Sequence, residues 1–444
     1  MQYSESQSKS PKEATQDLQK KIDWEKAFEP IQDPRRKQRK EYSVAAILTL
    51  ALAAILSNHF SVLAIAEWGT AQSEETKRAL GFQKGITPHQ STIHRVLRHL
   101  DPKQVEEAFR YVFHHLSEVP AQERGAEALA IDGKAQRGRL RFEEEDEYKV
   151  HAVSICDHQT GIVFLQGHIA PSPKKEEEKQ KQEGGKEELL QGKGKQKEKK
   201  KRKKTTKQVE EEKAASELAI APFLLEQLDW KDKVLTGDAL YCQRELCRFV
   251  RKAQGDYLFL VKGNQPLLLE EICLLFTPPP EATRAGEGVL YLPETHFITY
   301  SKGHGRWEMR TIRVSSELKG QSDWPGLEQV FQIRRRWKEK GKWHESVRYG
   351  ITSLPATIAT PERLLLLKRG HWIIENGLHY VKDVTMGEDK SLVHIDQGPK
   401  ILSALRNTVV GILRHAGFHT IAARMRYNSS HPQAALAVLT LALF

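Results

Sequence analysis

The chain has 444 residues, 39% hydrophobic and 29% charged, with a formal net charge of +11. Its length predicts two to four domains, and its apolar content suffices for a packed core, which excludes a wholly disordered chain. The charge alone does not point to nucleic acid: Lys174–Lys204 holds 14 Lys/Arg against 7 Glu, so most of the excess sits in one segment and local clusters must carry that argument.

Residues 1–20 are polar and charged, with no signal-peptide core, and read as a disordered tail. A basic stretch, Asp33–Lys40, follows; a solvated loop and a phosphate-contacting loop are both open readings. Residues 21–120 read as an N-terminal helical domain. VAAILTLALAAIL, Val44–Leu56, is 13 residues long, short of the roughly 20 that span a membrane, and predicts a buried helix capped by Ser43. In STIHRVLRHLDP, Ile93, Val96, Leu97 and Leu100 form one apolar helical face, with Ser91 as N-cap and Pro102 past the end. The open face carries Arg95 and Arg98, as a recognition helix in a major groove would, and as many ordinary amphipathic helices do.

A second domain, 125–420, begins with ALAIDGK, a strand ending in Asp132-Gly133. YKVHAVSICD and GIVFLQGHIA read as two further strands with a turn at His158–Gly161. Lys174–Lys204 then has almost no apolar residues and reads as a disordered basic insertion. VEEEKAASELAIAPFLLEQLDW is helical, KVLTGDALYC a strand ending at Asp238, RELCRFVRKAQ a helix and DYLFLVKG a strand; this alternation predicts an α/β sheet with parallel pairing. Residues 278–353 alternate apolar and polar, as an antiparallel β-rich insertion would. Thr360-Pro361-Glu362 opens a long helix predicted to run through LLLLKRGHWIIENGLHYVKDV, and 421–444 reads as a C-terminal tail. Cys156, Cys242, Cys247 and Cys273 lack the paired spacing of a zinc site and read as structural thiols in a reducing cytoplasm.

Taken singly, Asp132 and Asp238 are strand-end carboxylates that also fit a turn or a helix cap. Together, at the carboxyl ends of strands in one α/β domain, they suit a shared ligand site. Glu375 lies in an apolar, aromatic stretch; His371, Glu375, His379 and Lys382 recur at helical spacing and predict one polar face. Carboxylates without a Cys/His set favour a hard cation such as Mg²⁺, and two such ions serve an in-line phosphoryl displacement.

AIDGKAQRG, LTGDALYCQ and RGHWIIENGLHYVKDVTMGED resemble the three boxes of DDE transposases from bacterial insertion sequences, in the branch of the H-repeat-associated proteins. SKGHGRWEMR, with His304, Gly305, Arg306, Glu308 and Arg310, and the STIHRVLRHLDP block extend the resemblance from about Phe28 to His415. It implies an RNase H-like core with a β insertion between Asp238 and Glu375. It implies hydrolysis of DNA at the element's ends with Mg²⁺, or Mn²⁺ in its place, and attack of the freed 3′-hydroxyl on target DNA. Asp132, Asp238 and Glu375 become the metal ligands. In the Tyr-x2-Arg-x3-Glu-x6-Lys signature of such families, Lys382 takes the Lys position and would contact a phosphate. The chain departs at the other two positions, Lys368 and His371, with Arg369 nearby, so how the terminal phosphate is held is open. Lys134 and Arg137 beside Asp132, and Arg306 and Arg310 on one strand face, fit either DNA contact or ordinary surface and ion-pair roles; Trp372 fits a packed core better than base stacking. The expected partners are double-stranded DNA and, since two ends must be paired, a second copy, in the cytoplasm at the nucleoid. The competing expectations are a transposon-derived DNA-binding protein without activity, and a nuclease that cuts without joining.

Overall fold

The computed structural model describes residues 24–36, 41–116, 127–135, 151–168, 217–277, 295–303, 306–393 and 395–440. The N-terminal tail, the end of the 33–40 patch, Arg137, the 174–204 insertion and the His304-Gly305 pair lie outside them.

Nine strands form one mixed sheet: β1 (Glu127–Ala135), β2 (His151–Asp157), β3 (Val163–His168), β4 (Lys233–Gly237), β5 (Asp256–Val261), β6 (His296–Gly303), β7 (Arg306–Ser315), β8 (Gln329–Glu339) and β9 (Lys342–Thr352). The order is β3-β2-β1-β4-β5-β9-β8-β7-β6. β1 to β3 are antiparallel, β2 and β3 being joined by a tight turn, while β1, β4 and β5 run parallel through helical crossovers. The predicted turn between β2 and β3 is present; Asp157 Oδ2 accepts from the Thr160 amide and hydroxyl at 2.6 Å, and Gly161 takes the left-handed φ of +66°.

The β-rich region is not a separate body. β9 pairs antiparallel with β5, from Leu258↔Thr352 to Val261↔Tyr349, so β6 to β9 extend the sheet. The seam depends on Gly350. A Cβ there would stand 2.2 Å from Phe331 Cζ and 2.6 Å from the Phe259 carbonyl oxygen. Gly350→Ala is therefore expected to cost about 1–3 kcal/mol, as overpacking does, read as a lower urea midpoint with an unchanged slope.

The helices are α1 (Trp24–Phe28), α2 (Val44–Leu56), α3 (Val62–Ala71), α4 (Glu74–Ala79), α5 (Gln90–His99), α6 (Pro102–Leu116), α7 (Arg244–Lys252), α8 (Pro266–Phe276), α9 (Pro361–Gly370), α10 (Gly398–His415), α11 (Ile421–Ser430) and α12 (Pro432–Thr440), with a further helical stretch at 217–225. α2 is apolar around its whole circumference and is accordingly surrounded on all sides. Ser43 Oγ caps it by accepting from the Ala46 amide at 3.0 Å. Ile93, Val96, Leu97 and Leu100 form the expected buried face of α5, but the helix starts two residues earlier than the sequence suggests: His89, not Ser91, is the N-cap.

The two ends of the chain share one core. α10 packs on α2, α5 and α6, and α12 on α2. The 421–440 stretch is thus two packed helices and not a tail: Ala435, Val438 and Leu439 are buried, Trp24 Nε1 donates to the Leu439 carbonyl at 3.3 Å, and Asn428 Nδ2 donates to the last carbonyl of α2 at 3.0 Å. This helical layer rests on one sheet face through Ala130, Cys156 and Val163. α9 covers the same face further out, against Ile312, Phe331 and Ile333. Residues 217–225, α7 and α8 cover the opposite face. Among the described residues, no helix is long and apolar enough to cross a membrane.

Candidate functional site

Asp132 and Asp238 stand side by side. In the parallel β1–β4 pair, Ala130 is opposite Thr236. Each aspartate lies two residues further on, so the register sets them level on the face that carries Ala130. Asp238 directly follows β4, whereas β1 runs on to Ala135 and pairs Asp132 with Ser154, so Asp132 is not the strand end that the sequence suggests. Asp238 also caps the 3-10 turn Ala239–Tyr241, with Oδ1 accepting from the Leu240 amide at 2.8 Å.

The third carboxylate comes from a helix whose winding changes from α to π. α9 is capped as expected, Thr360 Oγ1 accepting from the Arg363 amide at 3.3 Å. It stops at Gly370, and the chain continues as two π-helical segments, Ile373–His379 and Val381–Thr385. A π-turn advances by i→i+5, so residues chosen at α-helical spacing no longer share a face. The expected polar stripe is therefore split: Glu375 is exposed, while His371 and Lys382 are buried. His379 turns toward β1, with Nδ1 3.4 Å from Asp132 Oδ2.

Charges tie the three acids to common neighbours. Lys368 is pushed down first by burial and by Arg348, and held up by Glu375 and Asp238. Tyr241 is pushed up by burial, Glu217, Asp132 and Asp238. Among the described residues, however, no three Asp, Glu, His or Cys side chains stand close enough together to hold a metal ion. The donors of the aspartate pair are carboxylate oxygens and fit a hard cation; Glu375 is not gathered with them.

Beneath the pair, Thr236 Oγ1 donates to the Leu129 carbonyl at 3.2 Å and meets His158 Nε2 at 2.7 Å and His371 Nδ1 at 3.0 Å. Burial pushes both imidazoles down to about 4, so both are neutral at pH 7; with its own proton given to Leu129, the hydroxyl has only lone pairs left to offer them. His371 is therefore a buried support for the site, not a surface contact.

Lys134 and Lys382, expected at DNA phosphates, are buried as well. Both are buried around Glu388, itself 3% exposed, at 3.1 and 3.3 Å, and Arg406 Nη1 adds a third cation at 3.4 Å. Lys134 also reaches Asp383 at 2.6 Å and Asp389 at 3.8 Å, and Lys382 donates to Ser403 Oγ at 2.7 Å. Burial alone pushes the Glu388 carboxyl up, but Lys382, Arg406 and Lys134 together hold it down at about 2. Burial and the repulsion of Lys134 and Arg406 bring Lys382 down to about 8 against the pull of Glu388. Neither lysine is presented to a phosphate in this arrangement. The network was not legible in the sequence; its one trace is Arg406 inside the apolar run of α10.

Of the other basic residues, Arg98 forks onto Asp396 Oδ2 at 2.9 and 2.7 Å, and Arg310 pairs with Glu308, which Arg335 also grips at 2.8 and 2.9 Å. Arg306 lies 3.7 Å from Glu339 with both side chains partly exposed. Arg95 and Arg369 are exposed. Trp372, expected in the core, is 60% exposed.

A mixed sheet with two aspartates level on neighbouring parallel strands, flanked by a helical layer from both chain ends, defines an α/β protein with an acidic site on one sheet face. The sequence matches the family described as Transposase DDE domain over residues 203–397 and the one described as DDE_Tnp_1-associated over residues 25–112. The first span holds Asp238 and Glu375; Asp132 precedes it. The chain is 26% identical over 391 residues to "Putative transposase YncI" of Escherichia coli O157:H7, covering 86% of this chain and 85% of that one. It is likewise 26% identical over 391 residues to the H repeat-associated protein YhhI of Escherichia coli K12, covering 86% and 88%. A solved piggyBac transposase synaptic complex with hairpin DNA aligns at a TM-score of 0.34 and 11% identity over 98% of this chain and 82% of that one, too weak a likeness to carry an argument. The protein belongs to the DDE transposases, in the branch of the H-repeat-associated proteins.

Proposed function

We propose that this protein is an active transposase, cutting DNA at the ends of its mobile element and joining the freed 3′ ends to target DNA. The observation that carries the reading is the equal register of Asp132 and Asp238 on neighbouring parallel strands. Two carboxylates fixed by one sheet are a preformed oxygen-ligand pair for Mg²⁺ or Mn²⁺, and Glu375, on the π-helical segment beside β1, is the third ligand we assign. Order β3-β2-β1-β4-β5, three antiparallel strands followed by two parallel ones, supports an RNase H-like core.

The bound metal would supply charge neutralisation at the scissile phosphate and activation of the attacking oxygen. The chain's own residues supply the rest. Asp132 and Asp238 set the spacing of the ligand oxygens. The His379 imidazole orients Asp132, and the Lys368 ammonium, drawn by Asp238 and Glu375, offsets the charge of the acidic pair and is placed to meet a phosphate. π-helical turns inserted in helices often mark functional sites, and here one lets Glu375 adjust toward the aspartates when DNA and metal arrive.

DNA is held, on this reading, by the exposed Arg95, Arg369 and Arg306, with a second copy pairing the two ends on cytoplasmic DNA. Arg95→Ala is expected to weaken end binding and lower the slope of log affinity against log salt by about 1. Lys382→Ala is expected to leave that slope unchanged and to cost stability. Equal salt slopes for the two variants in a titration would overturn the assignment.

The second reading, a DNA-binding protein without activity, draws on the separation of Glu375 from the aspartates. The test of both is cleavage of linear DNA carrying the element's own ends, with Mg²⁺ or Mn²⁺, by wild type and an Asp238 variant. Binding without cutting by wild type, at every metal concentration, favours the second reading.

A further inference from the structure

β6 to β9 project past the helices that cover the inner sheet, and their two faces differ. On the face away from Asp132 and Asp238, α8 reaches only as far as Arg313, whose Nη2 donates to the Phe276 carbonyl at 2.7 Å. Beyond that row, the register sets Lys302, Trp307, Lys338 and Trp343 across the four strands, and next to them Tyr300, Met309, Arg336 and Glu345. Tyr300 is 63% exposed, Trp343 51% and Trp307 38%.

These rings are arranged, not scattered. Tyr300 and Trp307 have centroids 5.8 Å apart, and Trp307 meets Trp343 edge-on at 5.5 Å. The Arg336 guanidinium lies 5.5 Å and the Lys338 ammonium 6.0 Å from the Trp343 ring centroid. Cross-strand aromatic pairs stabilise a sheet, but they do so best when something covers them, and no described residue does. Four cations, Lys302, Arg334, Arg336 and Lys338, share this face with one acid, Glu345, which takes Arg334 at 2.9 Å and Arg336 at 3.5 Å. The same face of a second copy would meet it with like charge, so symmetric self-association is disfavoured.

We propose that this face is a second nucleic-acid surface that takes an unpaired DNA strand, its phosphates on the cations and its bases on Tyr300, Trp307 and Trp343. Paired, stacked bases hide their faces, so a duplex could use only the charges; an unpaired strand uses both features. The surface lies across the sheet from the candidate catalytic edge, so it holds a strand other than the one at the carboxylates, and it does not depend on that site being active.

The test uses the full-length protein without divalent metal. Binding is followed by tryptophan fluorescence and by anisotropy of a labelled oligothymidylate of about 16 nucleotides, the upper end of single-strand site sizes. A duplex of equal length and inorganic polyphosphate serve as competitors. Wild type is expected to bind the oligothymidylate with quenching, and polyphosphate to displace it poorly. Trp343→Ala and Trp307→Ala are expected to weaken it about tenfold to a hundredfold, with duplex binding unchanged and the melting temperature lowered by only a few degrees, as the loss of one aromatic pair allows. Trp343→Phe, which keeps a ring, is expected to retain most of the affinity. The proposal falls if wild type does not bind the oligothymidylate, if both alanine variants bind it as wild type does, or if polyphosphate competes as well as DNA. Asp238→Asn is expected to bind as wild type does, so loss of cleavage and loss of this surface are read separately.

Discussion

Asp238→Asn is expected to lower metal-dependent cleavage at the element's ends by on the order of 10³-fold while leaving end binding intact. Losing one oxygen ligand removes several kcal/mol of transition-state charge stabilisation, and each 1.36 kcal/mol is tenfold in rate. Asn is the informative change because the side chain also caps the 3-10 turn, Oδ1 accepting from the Leu240 amide at 2.8 Å. Its amide oxygen can keep that bond, whereas alanine would lose the cap at a further cost of about 1 kcal/mol. The sign of the binding effect also separates mechanism from misfolding. Removing a negative charge beside bound phosphate leaves DNA affinity equal or tighter, so weaker binding by the variant would point to damage of the fold. Cleavage at the wild-type rate across a range of Mg²⁺ would remove Asp238 from the site.

Glu388→Gln is expected to destabilise the protein by about 3–5 kcal/mol at pH 7, the usual cost of leaving buried charges without their partner. Three cations converge on this carboxylate, from β1, from the Val381–Thr385 segment and from α10. Glutamine keeps the shape but leaves Lys134, Lys382 and Arg406 to repel one another, with only Asp383 and Asp389 to offset them. The pH dependence carries the sign. The folded carboxyl, at about 2, lies below its unfolded value of about 4.3, so its contribution is present above about pH 4.3 and is lost as pH falls through 2. The difference between wild type and variant in urea midpoint is therefore expected to shrink between pH 5 and pH 2, ranges set by those two values. A difference that stays constant over that range would mean that the carboxylate's charge is not what holds these elements together. Because Lys134 is two residues from Asp132 and Lys382 seven from Glu375, the same variant is expected to raise the metal concentration needed for cleavage.

The sheet elements were legible because their signals are local. ALAIDGK, VLTGDALYC and DYLFLVKG are short apolar runs closed by Gly or Asp, and they are the strands β1, β4 and β5. The capping pattern of Thr360-Pro361-Glu362 and the all-apolar face of α2 were equally plain. The register that brings Asp132 level with Asp238 was not, because it is set by pairing across more than 100 residues of chain.

By itself, the sequence determined the family, the core strands and the caps at Ser43 and Thr360, and it singled out the three acids as candidates, since composition, periodicity and box order need no knowledge of the fold. Only the tertiary structure decided which charges are available. A lysine or histidine in a sequence carries no mark of burial, and the packing of β1, the π-helical segments and α10 commits Lys134 and Lys382 to Glu388 and His371 to Thr236. It also joined the two chain ends in one core: α12 has too few residues to bury its apolar face alone, and α2, more than 370 residues away, supplies the missing side.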